Sequence, residues 1–149
     1  MRFCGNYYQR VDQKGRTSVP AEYRSKLEAS EIKTLFIAPA LNCLEIYPES
    51  DWEEFVRSIE KLSTMRKEVE EVMLSYISPA FPAQWDSSGR ILLPQNLREL
   101  VKIDKDKEVV IVGMGHKFQI WDKGEWEKAF NEARSRYDHN RNLLSGEVS

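Results

Sequence analysis

An internal repeat constrains this chain more than any other feature. Asp12-Gln13-Lys14-Gly15-Arg16 returns as Asp86-Ser87-Ser88-Gly89-Arg90, 74 positions later. Each copy is followed at the same distance by a proline (Pro20, Pro94) and an arginine (Arg24, Arg98). With no gap, the same offset superposes Ile37 on Ile111, Ile46 on Ile120, Trp52 on Trp126 and Glu53 on Glu127, and it matches Tyr7 with Phe81, Leu35 with Val109 and Tyr47 with Trp121. A chance match of five residues would not hold register over about fifty positions, which identifies a tandem duplication. The fold must therefore accommodate one unit twice. We place the first repeat, with its connecting helices, at 1–78 and the second, with an extended C-terminal helix, at 79–149.

Asp-x-x-Gly is turn chemistry. The carboxylate of the first residue accepts backbone N–H groups, and glycine at the fourth takes a positive φ that a side chain resists. Asp12, Gly15, Asp86 and Gly89 are thus turn-forming residues. Strand-like residues flank each turn, Tyr7 to Val11 and Thr17 to Val19 in the first copy, so each copy reads as a hairpin. No turn geometry requires a guanidinium after the glycine, and Arg16 and Arg90 therefore ask for a function.

Pro20 opens a short helix at a position where the missing N–H is harmless; Tyr23 and Leu27 share its face and it ends near Ser30. Leu35 to Ala38 and Cys43 to Tyr47 read as a second hairpin, with Leu44 and Ile46 inward and Glu45 outward. Ser50-Asp51-Trp52-Glu53 has the pattern of a capping box, opening a helix whose Trp52, Phe55, Val56, Ile59 and Leu62 share a face. A further helix from about Ser63 places Met65, Val69, Val72, Met73 and Tyr76 on one stripe, and Pro79 and Pro82 end it. The second unit repeats the plan: strands at Phe81 to Trp85 and Ile91 to Leu93, a helix from Pro94 to about Val101, strands at Val109 to Val112 and Phe118 to Trp121, and a last helix from near Asp122. Gly113-Met114-Gly115 lies between two strands with no helix after it, so it is a hairpin turn and not a phosphate loop.

At 149 residues, 41% hydrophobic and 31% charged, the chain can bury an ordinary core. It contains no run of eighteen apolar residues and no charged-then-apolar N-terminus, from which we expect neither membrane span nor secretory signal, and a cytoplasmic location. Cys4 and Cys43, with His116 and His139, have no metal-ligand spacing; we expect no metal, no cofactor and no enzymatic activity. Isolated cysteines of this kind read as buried small hydrophobes. Net charge is −2, unevenly spread: Arg2 to Arg24 carries a balance of +3 and Glu49 to Glu71 one of −4. The basic end is the motif end.

Gly5-Asn6-Tyr7, the run Asp12 to Pro20, Tyr47-Pro48 followed by Trp52, and the second copy Asp86 to Arg90 together resemble the MraZ family. The resemblance runs from Arg2 to about Phe130. It implies an α+β fold of the AbrB type, in which swapped hairpins from the two repeats form a double-split β-barrel within one chain, with peripheral helices. It also implies a nucleoid-associated transcription regulator that binds double-stranded DNA at short repeated sites in the promoter of its own division and cell wall gene cluster, and that assembles into a homo-oligomeric ring. In the family the arginine of the motif contacts DNA, which carries over to Arg16 and, in the second copy, Arg90. The first copy keeps the lysine that often precedes the glycine, as Lys14. The second has Ser88, which makes it the lesser candidate. With Arg10 from the same basic end, these are the candidate DNA-binding residues.

A guanidinium at a hairpin tip can bond guanine O6 and N7 while a neighbouring lysine sits on phosphate. The bland alternative is a solvated surface pair, against which the recurrence weighs. An enzymatic rival would use Asp12 and Asp86, one from each half, as a proton-sharing dyad. The adjacent arginines oppose it by holding both carboxylates ionised. A ring-forming interaction protein without nucleic acid is the third reading, its apolar helix stripes serving as the interface.

Overall fold

The computed structural model describes residues 1–148. Fifteen segments follow one another in the order β1 (Asn6–Arg10), β2 (Arg16–Ser18), α1 (Ala21–Ala29), β3 (Leu35–Pro39), β4 (Leu44–Pro48), α2 (Glu49–Glu60), α3 (Lys67–Val72) running into a π-helical turn at Met73–Ile77, β5 (Phe81–Ala83), β6 (Arg90–Leu92), α4 (Gln95–Leu100), β7 (Glu108–Gly113), β8 (Phe118–Asp122), α5 (Lys123–Ser135) and α6 (Tyr137–Leu144). The fold is α+β. Six antiparallel strands form one sheet in the order β1-β7-β8-β4-β3-β5, and β2 pairs with β6 in a separate ribbon.

That sheet order reads the same from either end once each strand is exchanged for its counterpart in the other repeat. The register obeys the same exchange: Tyr7 pairs with Ile111 and Phe81 with Ile37. On β4–β8, Glu45 faces Gln119, and on β2–β6, Thr17 faces Ile91; both pairs are residues 74 positions apart, so an approximate twofold axis passes between them. The first strand of each repeat therefore completes the sheet of the other. β1 and β5 are the two edges, and among the described residues no ladder joins them into a closed barrel.

This exchange corrects the reading of each motif copy as a hairpin. The turns close locally, Gly15 N–H on the Asp12 carbonyl (3.0 Å) and Gly89 N–H on that of Asp86 (2.9 Å). Their flanking strands nevertheless go to different ladders, because β1 bonds to β7 and β2 to β6. The turn is real and the pairing is with the other repeat.

The main core lies between the large sheet, the ribbon and helices α1 and α4. Tyr23 and Leu27 enter it from α1 and Leu97 from α4, with Ile37, Ile46, Ile111 and Ile120 from the sheet. Each such fully buried side chain contributes about 1.5–3 kcal/mol. As the sequence implies, α1 and α4 have no side-chain cap; Pro20 and Pro94 stand at their N-caps, so packing sets where they begin. The capping box at Ser50 does not form, because α2 starts at Glu49, directly after Pro48. Asp122 does cap α5, accepting from Glu125 N–H at 3.1 Å.

A second, smaller cluster covers the other sheet face in the first repeat: Ala38, Tyr47 and Trp52, with Phe36, Phe55 and Tyr76 against them. Met65 takes no part and is open to solvent, since helix begins only at Lys67. Glu45, read as outward, is buried here. It lies on the face away from Leu44 and Ile46, but this face too is covered. Lys117 Nζ (2.8 Å), Gln119 Nε2 (2.8 Å) and the Tyr76 hydroxyl all donate to its carboxylate, and Tyr76 also reaches the Tyr47 hydroxyl at 3.1 Å. Burial pushes the Glu45 carboxyl up, but the three hydrogen bonds outweigh it and hold it below its ordinary value. Cys43 is buried as read, its thiol pushed up to about 12 by desolvation, whereas Cys4 is exposed.

Candidate nucleic-acid interface

Each motif is held by one carboxylate. Asp12 Oδ1 accepts the N–H groups of Lys14 and Arg16, both at 2.9 Å, and Oδ2 accepts Arg16 Nε at 3.0 Å. Asp86 repeats this with Ser88 N–H (2.9 Å), Arg90 N–H (3.0 Å) and Arg90 Nε (3.2 Å). Gly15 and Gly89 take φ of 83° and 79°, the left-handed region that favours glycine.

The β2–β6 ribbon sets the two turns side by side. Val19 N–H bonds the Gly89 carbonyl and Leu93 N–H that of Gly15, each at 2.8 Å, so each turn is tied to the strand of the other repeat. The charges then interlock: Arg16 Nη1 lies 3.8 Å from Asp86 Oδ2 and Arg90 Nη1 lies 3.9 Å from Asp12 Oδ2. Arg16, Asp12, Arg90 and Asp86 form an alternating ring of charge across the approximate twofold. The guanidiniums are positioned by these bonds, with 26% and 35% of each side chain exposed, rather than waving freely at a tip. Long, partly solvated pairs of this kind add little stability and leave donor N–H groups for a ligand.

Both aspartates are held below the usual carboxylate range. The backbone N–H of the motif arginine is the main cause, with the N–H two residues after the aspartate and the guanidinium adding to it. A proton-sharing dyad needs one carboxyl raised, so this cluster is built for the opposite task.

Of the remaining sequence candidates, Lys14 is exposed beside its turn. Arg10 is engaged elsewhere, 3.8 Å from Glu108 across the β1–β7 ladder and bonded to the Asp106 carbonyl. The structure thus gathers Arg16, Arg90, Asp12, Asp86 and Lys14, and sets Arg10 one step aside.

Two residues of the site were matched by the repeat but given no role. Arg24 and Arg98 lie behind the turns, each behind that of the other repeat. A Cβ on Gly89 would meet Arg24 Nε at 2.6 Å, and one on Gly15 would meet Arg98 Nη2 at 3.3 Å. Arg24 Nε donates to the Val19 carbonyl (3.1 Å) and Arg98 Nε to that of Leu93 (3.0 Å). Arg98 is buried and, among the described residues, neither has a carboxylate at ion-pair distance. Their recurrence four positions after Pro20 and Pro94 was the available signal, since the fourth residue of a helix folds back over its start. With Lys14, Arg16 and Arg90 they give this face an excess of positive charge over Asp12 and Asp86 in a chain whose net charge is −2.

Comparison with known proteins agrees with the duplication. The family model described as MraZ protein matches the chain twice, over residues 2–74 and 76–145. The chain is 35% identical over 136 residues to the transcriptional regulator MraZ of Moorella thermoacetica, covering 91% of this chain and 92% of that protein. It is 34% identical over 143 residues to the protein of the same name from Alkaliphilus oremlandii, covering 96% of each. With that of Methylococcus capsulatus it shares 36% over 123 residues, 82% of this chain and 80% of the other.

Proposed function

We propose, from the premise that this chain belongs to the MraZ family, that it is a transcription regulator binding double-stranded DNA through its paired Gly-Arg turns. One observation carries the reading: two turns with the same hydrogen-bonding pattern, donated by the two repeats, stand together on one face, and the arginines behind them have no carboxylate partner. Arg16 and Arg90 are the groove-reading residues and Lys14 a phosphate contact, with Arg10 a flanking contact that must first leave Glu108. Asp12 and Asp86 aim the guanidiniums, and Gly15 and Gly89 admit the turn.

The finer picture is part of the same proposal. The exchange of β1 and β5 between repeats, with the β2–β6 ribbon on the axis, supports a reading as a double-split barrel of the AbrB type formed by repeats 1–78 and 79–149. The target is a set of short repeats in the promoter of the division and cell wall gene cluster, which places the protein in the cytoplasm at the nucleoid. With a local balance of only +3 over Arg2 to Arg24 and a net charge of −2, one copy would neutralise few phosphates, so a ring of copies engaging successive repeats supplies the affinity.

Titration of promoter-repeat DNA and of scrambled DNA across a salt series tests this. Preference for the repeats, with the logarithm of the affinity falling linearly in log[salt], supports it; equal affinity for both DNAs overturns it.

A further inference from the structure

The fold is nearly twofold, but its charge is not. The loop from α4 to β7, residues 102–107, is pinned to the lead-in of the first turn. Val11 N–H bonds the Lys107 carbonyl (3.0 Å) and Asp106 N–H that of Val11 (2.7 Å), while Arg10 donates to the Asp106 carbonyl and Gln13 Nε2 to the Asp106 carboxylate. From the buried side, Ile103 N–H bonds the Arg98 carbonyl (3.0 Å). Lys102 and Asp106 both take a φ of 61°, a region costly for residues other than glycine, so these bonds and not local preference set the shape of the loop. Lys102, Lys105 and Lys107 are exposed on it, and among the described residues none lies at ion-pair distance from a carboxylate.

In the other repeat the corresponding loop has Glu28, Glu31 and Lys33 where this one has Lys102, Lys105 and Lys107, and all three are exposed. Its chain meets the lead-in of the second turn through Gln84 Nε2 on Thr34 Oγ1 (3.4 Å) and the pairing of Leu35 with Ala83. The lead-ins and turns differ in the same sense, with Gln84 in place of Arg10 and Ser88 in place of Lys14. Asp104 and Asp106 offset part of the first side, as does Glu108, already engaged with Arg10 and Lys123. With these counted, the first side keeps a positive excess and the second a negative one.

We propose that the duplex reached by the paired turns continues over the loop 102–107 and not over the loop 28–33, its phosphate backbone running along Lys102, Lys105 and Lys107. This deepens the DNA-binding reading above and rests on it. The turns carry the same aspartate and arginine in both repeats, so they favour neither side. Their neighbours do: a phosphate backbone is drawn to the three free ammonium groups and repelled by Glu28 and Glu31. Phosphate contacts fix position without reading bases. The loop is therefore a one-sided clamp that offsets the footprint of each copy toward its first turn. Because it is pinned to Val11 and Gln13, it holds Lys14 and the three lysines as one surface, and Lys14 begins the track that the loop extends.

Salt titrations of the full chain on promoter-repeat and scrambled duplexes test this with wild type, Lys102→Gln/Lys105→Gln/Lys107→Gln and Glu28→Gln/Glu31→Gln, each checked for its fold by circular dichroism. Each phosphate contact contributes about 0.9 to the slope of log affinity against log[salt], so the lysine variant is expected to lose at least about 2 from that slope. Its affinity for both duplexes should fall by the same factor, leaving the preference for the repeats unchanged. The glutamate variant is expected to keep the wild-type slope. Should the triple variant misfold, Lys105→Gln/Lys107→Gln makes the same comparison with a smaller loss. An unchanged slope in the lysine variant, or a steeper one in the glutamate variant, overturns the one-sided clamp and leaves the DNA-binding reading standing. Wild type without preference for the repeats overturns both.

Discussion

Asp12 and Asp86 hold their turns with the same set of hydrogen bonds, whereas Trp52 and Trp126, also 74 positions apart, sit in different surroundings. Trp52 is enclosed by Phe36, Tyr47, Phe55 and Tyr76, the last delivered by the segment that joins the repeats. Trp126 meets Tyr8 and Phe130, both substantially exposed. The difference teaches where each repeat is constrained. The turns face one another across the axis and must stay alike to pair; the outer faces answer to whatever chain follows, a returning α3 in one case and the projecting α6 in the other.

The largest effect should separate the two tryptophans. Trp52→Ala removes the centre of a closed aromatic cluster and should cost about 3–5 kcal/mol. Trp126→Ala, between half-solvated neighbours, should cost about 1–3 kcal/mol. Urea unfolding of both variants checks the order, and equal losses would show that the two faces are equally enclosed.

Next comes DNA binding. A bidentate arginine–guanine contact is worth about 1–3 kcal/mol, and Arg16→Ala should abolish specific binding by a multivalent assembly while leaving the fold and the assembly intact. Arg90→Ala should weaken binding less, since its turn carries Ser88 in place of Lys14. An equal or larger loss from Arg90→Ala in the same titration would reverse the ranking of the turns.

Thr17 and Ile91, paired on the axis, give a smaller contrast. The Thr17 hydroxyl is buried without a hydrogen-bond partner, while its counterpart is apolar. Thr17→Val should therefore raise stability by about 1 kcal/mol, read as a higher urea midpoint. A lower midpoint would mean that the hydroxyl is satisfied in solution.

The smallest effect is on pH dependence. Folding lowers the pKa of Asp12 and of Asp86, so their contribution is complete above the unfolded aspartate value, about 3.9. It is lost as pH falls from there through the lower folded values. Asp12→Asn/Asp86→Asn should flatten the fall in stability below about pH 4 relative to wild type. An unchanged slope would assign that fall to other carboxylates, such as Glu45.

Much of this was legible in the sequence because it depends on short-range chemistry. The duplication, the turn residues, the β3–β4 hairpin and the arginines of the motif all follow from spacing and side-chain type. The exchange of strands was legible only through the family resemblance, which implies swapped hairpins: the residues flanking each turn suit pairing across it as well as pairing with the other repeat, and only the three-dimensional register chooses. Glu45 was misread because alternation says which face a residue occupies, not whether a later helix covers that face. Arg24 and Arg98 were visible as a recurrence, but their place behind the opposite turn exists only once the repeats are exchanged.

The central claim is that the two turns act as one DNA-facing unit. Affinities of wild type, Arg16→Ala, Arg90→Ala and the double variant for the same promoter-repeat DNA, at one salt concentration, test it most directly. Because Arg16 and Arg90 share Asp12 and Asp86, the account predicts losses that do not add, with a coupling of at least about 0.5 kcal/mol. Strictly additive losses would make the turns independent, and wild-type affinity in the double variant would contradict the assignment of the site itself.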